Sequence, residues 1–91
     1  MARGETMVKA YVLINVKPET ENEVARVLSK TPGVASTDLL FGYYDIIAKI
    51  ETDNLNDVGK IVENIRNRAR GIEKTSTMIV NEDYFDVITS K

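Results

Sequence analysis

Residues 7–16 alternate: Val8, Ala10, Val12, Ile14 and Val16 share one face, and Lys9, Tyr11, Leu13 and Asn15 share the other. This predicts a strand with one wholly apolar face, for helices to cover, and a second face of mixed character. Lys17-Pro18 closes it, because proline has no N–H to give to the ladder. The period then lengthens. Val24, Val27 and Leu28 follow Thr20 and Glu23, which have the spacing of a capping box, and Thr31-Pro32-Gly33 stops the short helix they predict. Residues 34–40 and 45–51 return to strand patterning on either side of Gly42, with Ile46, Ala48 and Ile50 on one face. Leu55, Val58, Val62, Ile65 and Ala69 recur at intervals of three and four and predict the clearest helix, behind Asp53 and Asn54 as N-cap candidates. Gly59 inside it costs about 1 kcal/mol against alanine, which close approach of helix to sheet would offset. Gly71 suits a helix C-terminus, residues 72–80 form a fourth strand, and residues 84–88 a short edge strand or docking tail.

The two predicted helices leave by similar routes, Gly33-Val34-Ala35-Ser36-Thr37 and Gly71-Ile72-Glu73-Lys74-Thr75, as if two strand–helix–strand halves stood end to end. Interleaved with right-handed crossovers, such halves give an α+β, ferredoxin-like βαββαβ domain. Its four-stranded antiparallel sheet carries both helices on one face. The other face is left bare, and Tyr11, Leu13 and Ile47 project from it; exposed groups of this kind mark an interface. The expected outcome is a homodimer of the dimeric α+β barrel type. Residues 1–6 read as a loose extension before a domain of residues 7–80, with residues 81–91 as a tail, and Met7 is a second candidate start.

Composition narrows the function classes. At 91 residues there is one domain, and a lone copy buries only roughly 60–65% of its unfolded surface. The chain has neither cysteine nor histidine, so disulfides, thiolate metal sites and the commonest general base are unavailable. Self-association is the remaining usual support for so small a core. A net charge of −2 argues against direct nucleic-acid binding. The run Arg66, Arg68 and Arg70 lies late in a predicted helix, where cations suit the dipole. No stretch has the length of a membrane span and the start has no signal-peptide core, so a cytoplasmic, membrane-free location is expected.

The segment Leu40-Phe41-Gly42-Tyr43-Tyr44-Asp45 joins two predicted strands at a sheet end, where loops carry function. Glycine there presents bare backbone N–H groups, Asp45 accepts from an ammonium, and the tyrosines supply flat walls with polar tips. A free amino acid needs these groups. A tight turn braced by Asp45 and packed by two aromatics accounts for them equally. Ser76 and Thr77 add hydroxyls on the last core strand, or are ordinary strand residues. No phosphate loop, nucleophile–histidine pair or calcium-loop spacing occurs, so no cofactor, metal or catalytic residue is expected.

Residues 10–16, Pro32-Gly33-Val34, Gly42-Tyr43-Tyr44-Asp45, Gly71-Ile72 and Thr75-Ser76-Thr77 with residues 78–80 together resemble the ligand-binding (RAM) domain of the Lrp/AsnC family. The resemblance implies dimerisation through the sheet, assembly of dimers into octameric rings, and amino-acid effectors bound between subunits beside the turn. It assigns Gly42, Tyr43, Tyr44 and Asp45 to the site, with Ser76 and Thr77 as contributors. The chain has no room for the family's helix-turn-helix domain and reads as a stand-alone form, modulating a full-length Lrp/AsnC-type regulator or sensing a metabolite. Phe41 stands where the family often has threonine, which implies a narrowed or closed pocket. The alternatives are a purely structural assembly partner, a small enzyme on a dimeric α+β barrel, and the neighbouring ACT-type sensors.

Overall fold

The computed structural model describes residues 8–80. They run β1 (Val8–Val16), α1 (Glu21–Ser29), β2 (Val34–Leu39), β3 (Ile46–Thr52), α2 (Leu55–Arg68) and β4 (Ile72–Ile79), the βαββαβ order expected. The strands form one antiparallel sheet in the order β2-β3-β1-β4. The expected extension, tail and second start fall outside the described residues.

Strand alternation decides the core. Ala10, Val12, Ile14 and Val16 of β1 and Ile46, Ala48 and Ile50 of β3 are buried with Val24 and Leu28 of α1, Val58 and Ile65 of α2, and Ala69 at its C-cap. Both central strands therefore turn their apolar faces to the helices. The edge strand β4 lies largely beyond their cover, and Met78 and Ile79 are 54% and 45% exposed.

The two halves hold each other through equivalent contacts. Lys17 N–H donates to the Gly71 carbonyl at 2.8 Å, and Glu51 N–H donates to the Gly33 carbonyl at 3.1 Å. Each helix-exit glycine thus receives the strand end of the opposite half. Both have left-handed backbone, with φ of +92° at Gly33 and +100° at Gly71. A Cβ on Gly33 would strike Ile61 of α2, and one on Gly71 would lie 2.8 Å from Thr20 Oγ1. The sequence echo therefore reflects a shared structural need: a positive φ and close packing at the same place in each half.

Two local expectations are corrected. Thr20 does not cap α1 with its side chain; its hydroxyl donates instead to the Lys17 carbonyl at 2.7 Å, closing the turn before the helix. Asn54 does cap α2, accepting the Asp57 N–H at 3.1 Å. Gly59 makes no close approach to the sheet, since a Cβ there would meet nothing within 4 Å. Arg66 and Arg68 occupy the last turn of α2, and Arg66 also donates to Thr75 Oγ1 at 3.0 Å, tying the helix to β4.

The register fixes the face away from the helices. Tyr11 sits between Lys49 and Met78, and Leu13 between Ile47 and Ser76. Tyr11, Leu13 and Ile47 therefore lie together on the bare face, as expected, and Met78 joins them. Lys49 and Glu51, paired at 3.3 Å, stand on the same face. No helix among the described residues is long and apolar enough to cross a membrane.

Candidate functional site

The β2–β3 connection is held by three backbone-directed bonds. Leu40 N–H donates to the Asp45 carbonyl at 2.9 Å, which closes the loop on itself. Asp45 N–H donates to the Ile14 carbonyl at 2.9 Å, and Asp45 Oδ2 accepts the Val16 N–H at 2.9 Å. Asp45 thus continues the β3–β1 ladder with its own backbone and then with its carboxylate. That second bond satisfies a strand-end donor as Lys17-Pro18 turns away.

Tyr43 and Tyr44 meet edge to face at 4.9 Å. The Tyr43 carbonyl accepts from Asn15 Nδ2 at 2.7 Å, and Lys74 Nζ stands 5.7 Å from the centroid of its ring. Asn15 and Lys74 are cross-strand partners on the bare face, so Tyr43 is anchored on the bare-face side of the sheet end. Gly42 carries φ +145° at the tip with open space around it, a conformation suited to glycine.

On the helix side of the same end lies a cleft of about 390 Å³, near the lower end of the roughly 300–1,000 Å³ usual for small-molecule sites. Glu21 and Asn22 from the first turn of α1, Leu39, Leu40 and Phe41 from the β2 end, and Asp45 line it. The Phe41 side chain is fully exposed and Leu39 is 53% exposed, an unusual apolar edge for a loop. Glu21 and Asp45 have no cationic partner among the described residues.

Of the residues assigned to a site from sequence, Asp45 alone lines this cleft. Gly42, Tyr43 and Tyr44 belong to the same turn but do not line it. Ser76 pairs with Leu13 on the bare face, and Thr77 pairs with Val12 and points to the helix side, so the two hydroxyls face opposite ways. Leu40 and Phe41 fall within the turn segment singled out from the sequence, whereas Glu21, Asn22 and Leu39 were not anticipated. Glu21 reads in sequence as an acid suiting the α1 dipole, and only the docking of α1 on the sheet sets it beside the turn. Among the described residues no group of three or more His, Cys, Asp or Glu could hold a metal ion.

Comparison with known proteins identifies the family. Residues 9–87 match the Lrp/AsnC ligand binding domain. An uncharacterised helix-turn-helix-type transcriptional regulator of Pyrococcus furiosus is 37% identical over 73 residues, covering 77% of this chain and 49% of that protein. The chain thus spans about half the length of the curated regulators it matches. A homocitrate synthase of Sulfurisphaera tokodaii is 39% identical over 71 residues, covering 75% of this chain and 15% of that enzyme. Among solved structures, a hypothetical protein of Pyrococcus horikoshii superposes with a TM-score of 0.73 at 39% identity, covering 81% of this chain and 89% of that one. The fold, the turn and these matches agree: the chain belongs to the Lrp/AsnC ligand-binding-domain family.

Proposed function

We propose that this chain is a non-enzymatic effector-binding and oligomerisation module that recognises a free amino acid beside the β2–β3 turn. The observation that carries the reading is Asp45: its carboxylate is held by the Val16 N–H, faces a metabolite-sized cleft, and has no cationic partner among the described residues. A carboxylate fixed in this way is preorganised to accept from an ammonium group. Phe41, Leu39 and Leu40 supply the apolar surface an amino-acid side chain requires. A module similar to parts of both transcriptional regulators and a biosynthetic enzyme fits a sensor better than a catalyst.

The module works as a homodimer paired through Tyr11, Leu13, Ile47 and Met78, with octameric rings of dimers as the larger assembly. Tyr43 and Ser76, both on the bare-face side, then fall at the seam between copies, and Thr77 faces away from it. Mixed assembly with a full-length Lrp/AsnC-type regulator would pass the effector signal to a DNA-binding partner, while the chain itself binds neither nucleic acid nor membrane and acts in the cytoplasm.

A thermal-shift screen against the common amino acids tests the reading. A ligand at a hundred times its dissociation constant adds about 2.7 kcal/mol, and each kcal/mol raises the midpoint of a domain this size by roughly 4–8 °C. At least one amino acid is expected to give such a shift. An unmoved midpoint across the set, at millimolar concentrations, favours the purely structural assembly role instead.

A further inference from the structure

The helices cover their side of the sheet unevenly. β4 is an edge strand, and no strand among the described residues pairs with its outer edge. α2 packs on β3 and β1 rather than over it. Thr75, Thr77 and Ile79 pair with Ile14, Val12 and Ala10, so they face the helix side, yet Thr77 and Ile79 are exposed. The bond from Arg66 to Thr75 Oγ1 fixes which face of α2 looks towards them. Leu55, Gly59 and Val62 share that face at helical spacing. Leu55 is exposed, and a Cβ on Gly59 would meet nothing within 4 Å. An open groove therefore runs between α2 and β4, closed by Arg66 at one end and apolar at the other.

We propose that this groove is the docking site of residues 84–89 of the same chain, which lie outside the described residues and add to the free edge of β4 as an antiparallel strand. β4 is held to its end, where Val80 N–H donates to the Lys9 carbonyl at 2.9 Å, so the segment starts at the apolar mouth of the groove. Asn81 and Asp83 are turn formers, and a three-residue hairpin loop over residues 81–83 pairs Val80 with Tyr84. That register sets Phe85 opposite Ile79, Val87 opposite Thr77 and Thr89 opposite Thr75. Phe85 and Val87 then enter the groove against Leu55 and Val62, while Tyr84, Asp86 and Ile88 turn to the bare face. A two-residue loop would instead drive Asp86 into the apolar end, unpaired. Attachment gives the segment an effective concentration on the order of millimolar, which a second copy at micromolar concentration does not match.

Because the chain has no cysteine of its own, a cross-link in the full chain tests this. Directly opposed strand residues are within disulfide reach. The double variant Thr77→Cys, Val87→Cys is expected to lose both free thiols under mild oxidation while keeping the monomer mass in denaturant. Ser76→Cys with Val87→Cys, which places the two thiols on opposite faces, should oxidise at least tenfold more slowly. Disulfide-linked dimers would give the groove to another copy's segment and overturn docking within one chain. Thiols that stay free, or equal rates for the two pairs, overturn the docking and its register. Phe85→Ala supplies a readout without cysteines: its melting midpoint should fall by about 5 °C or more, and a midpoint equal to wild type denies Phe85 a place in the groove.

Discussion

Asp45 holds a structural bond from Val16 and carries the proposed recognition in the same side chain, and substitutions can separate the two. Asp45→Ala leaves the Val16 N–H without its acceptor, a loss of about 1–3 kcal/mol that chemical denaturation will register. Asp45→Asn keeps an oxygen to accept that N–H and removes the charge. It should unfold near the wild-type midpoint, yet bind any amino-acid ligand at least tenfold more weakly by calorimetry. Equal affinity in the Asn variant would deny Asp45 its part in recognition. A second residue-scale expectation concerns Gly59, where a Cβ meets open space inside a helix. Gly59→Ala should stabilise the domain by about 0.5–1 kcal/mol in urea melts. The turn was legible in the sequence because glycine, two aromatics and an aspartate between strand patterns carry local signals. The bond from Val16 to Asp45 was not, since it depends on where β1 ends against β3.

At the scale of elements, hydrophobic period specified nearly everything. β1, β3 and α2 show their faces in sequence because each buries a regular set of residues, Ile46, Ala48 and Ile50 being the plainest. The capping of α1 was misread because Thr20 had a competing partner, the Lys17 carbonyl, that only the Pro18 turn brings near. Asn54 behaves as its type predicts, and Asn54→Ala should cost about 1 kcal/mol. The helix-exit glycines are less forgiving. Gly71→Ala meets a positive φ and the Thr20 side chain together, so a loss of about 1–3 kcal/mol is expected. A melting temperature unchanged by Gly71→Ala would contradict the reciprocal packing of the two halves. The cleft lies at the limit of sequence reading: Leu39, Leu40 and Phe41 are contiguous, but Glu21 and Asn22 come to it only through the docking of α1.

For the whole molecule, the sheet has two faces with different fates. One is closed by α1 and α2. The other presents Tyr11, Leu13, Ile47 and Met78 in one patch, with Lys49, Glu51 and Lys74 near it. Burying such side chains is worth about 1.5–3 kcal/mol each when complete, a large gain beside the marginal stability of so small a domain. The proposed pairing of two copies through this face would supply it and would align Tyr43 of each turn with the seam. Sedimentation equilibrium at micromolar concentration, on the wild-type chain and on a folded Leu13→Lys variant, tests this most directly. The wild type should sediment as a dimer or a multiple of dimers, and the variant, with a charge at the centre of the patch, as a monomer. A monomeric wild type, or an assembly that Leu13→Lys leaves intact, would contradict it.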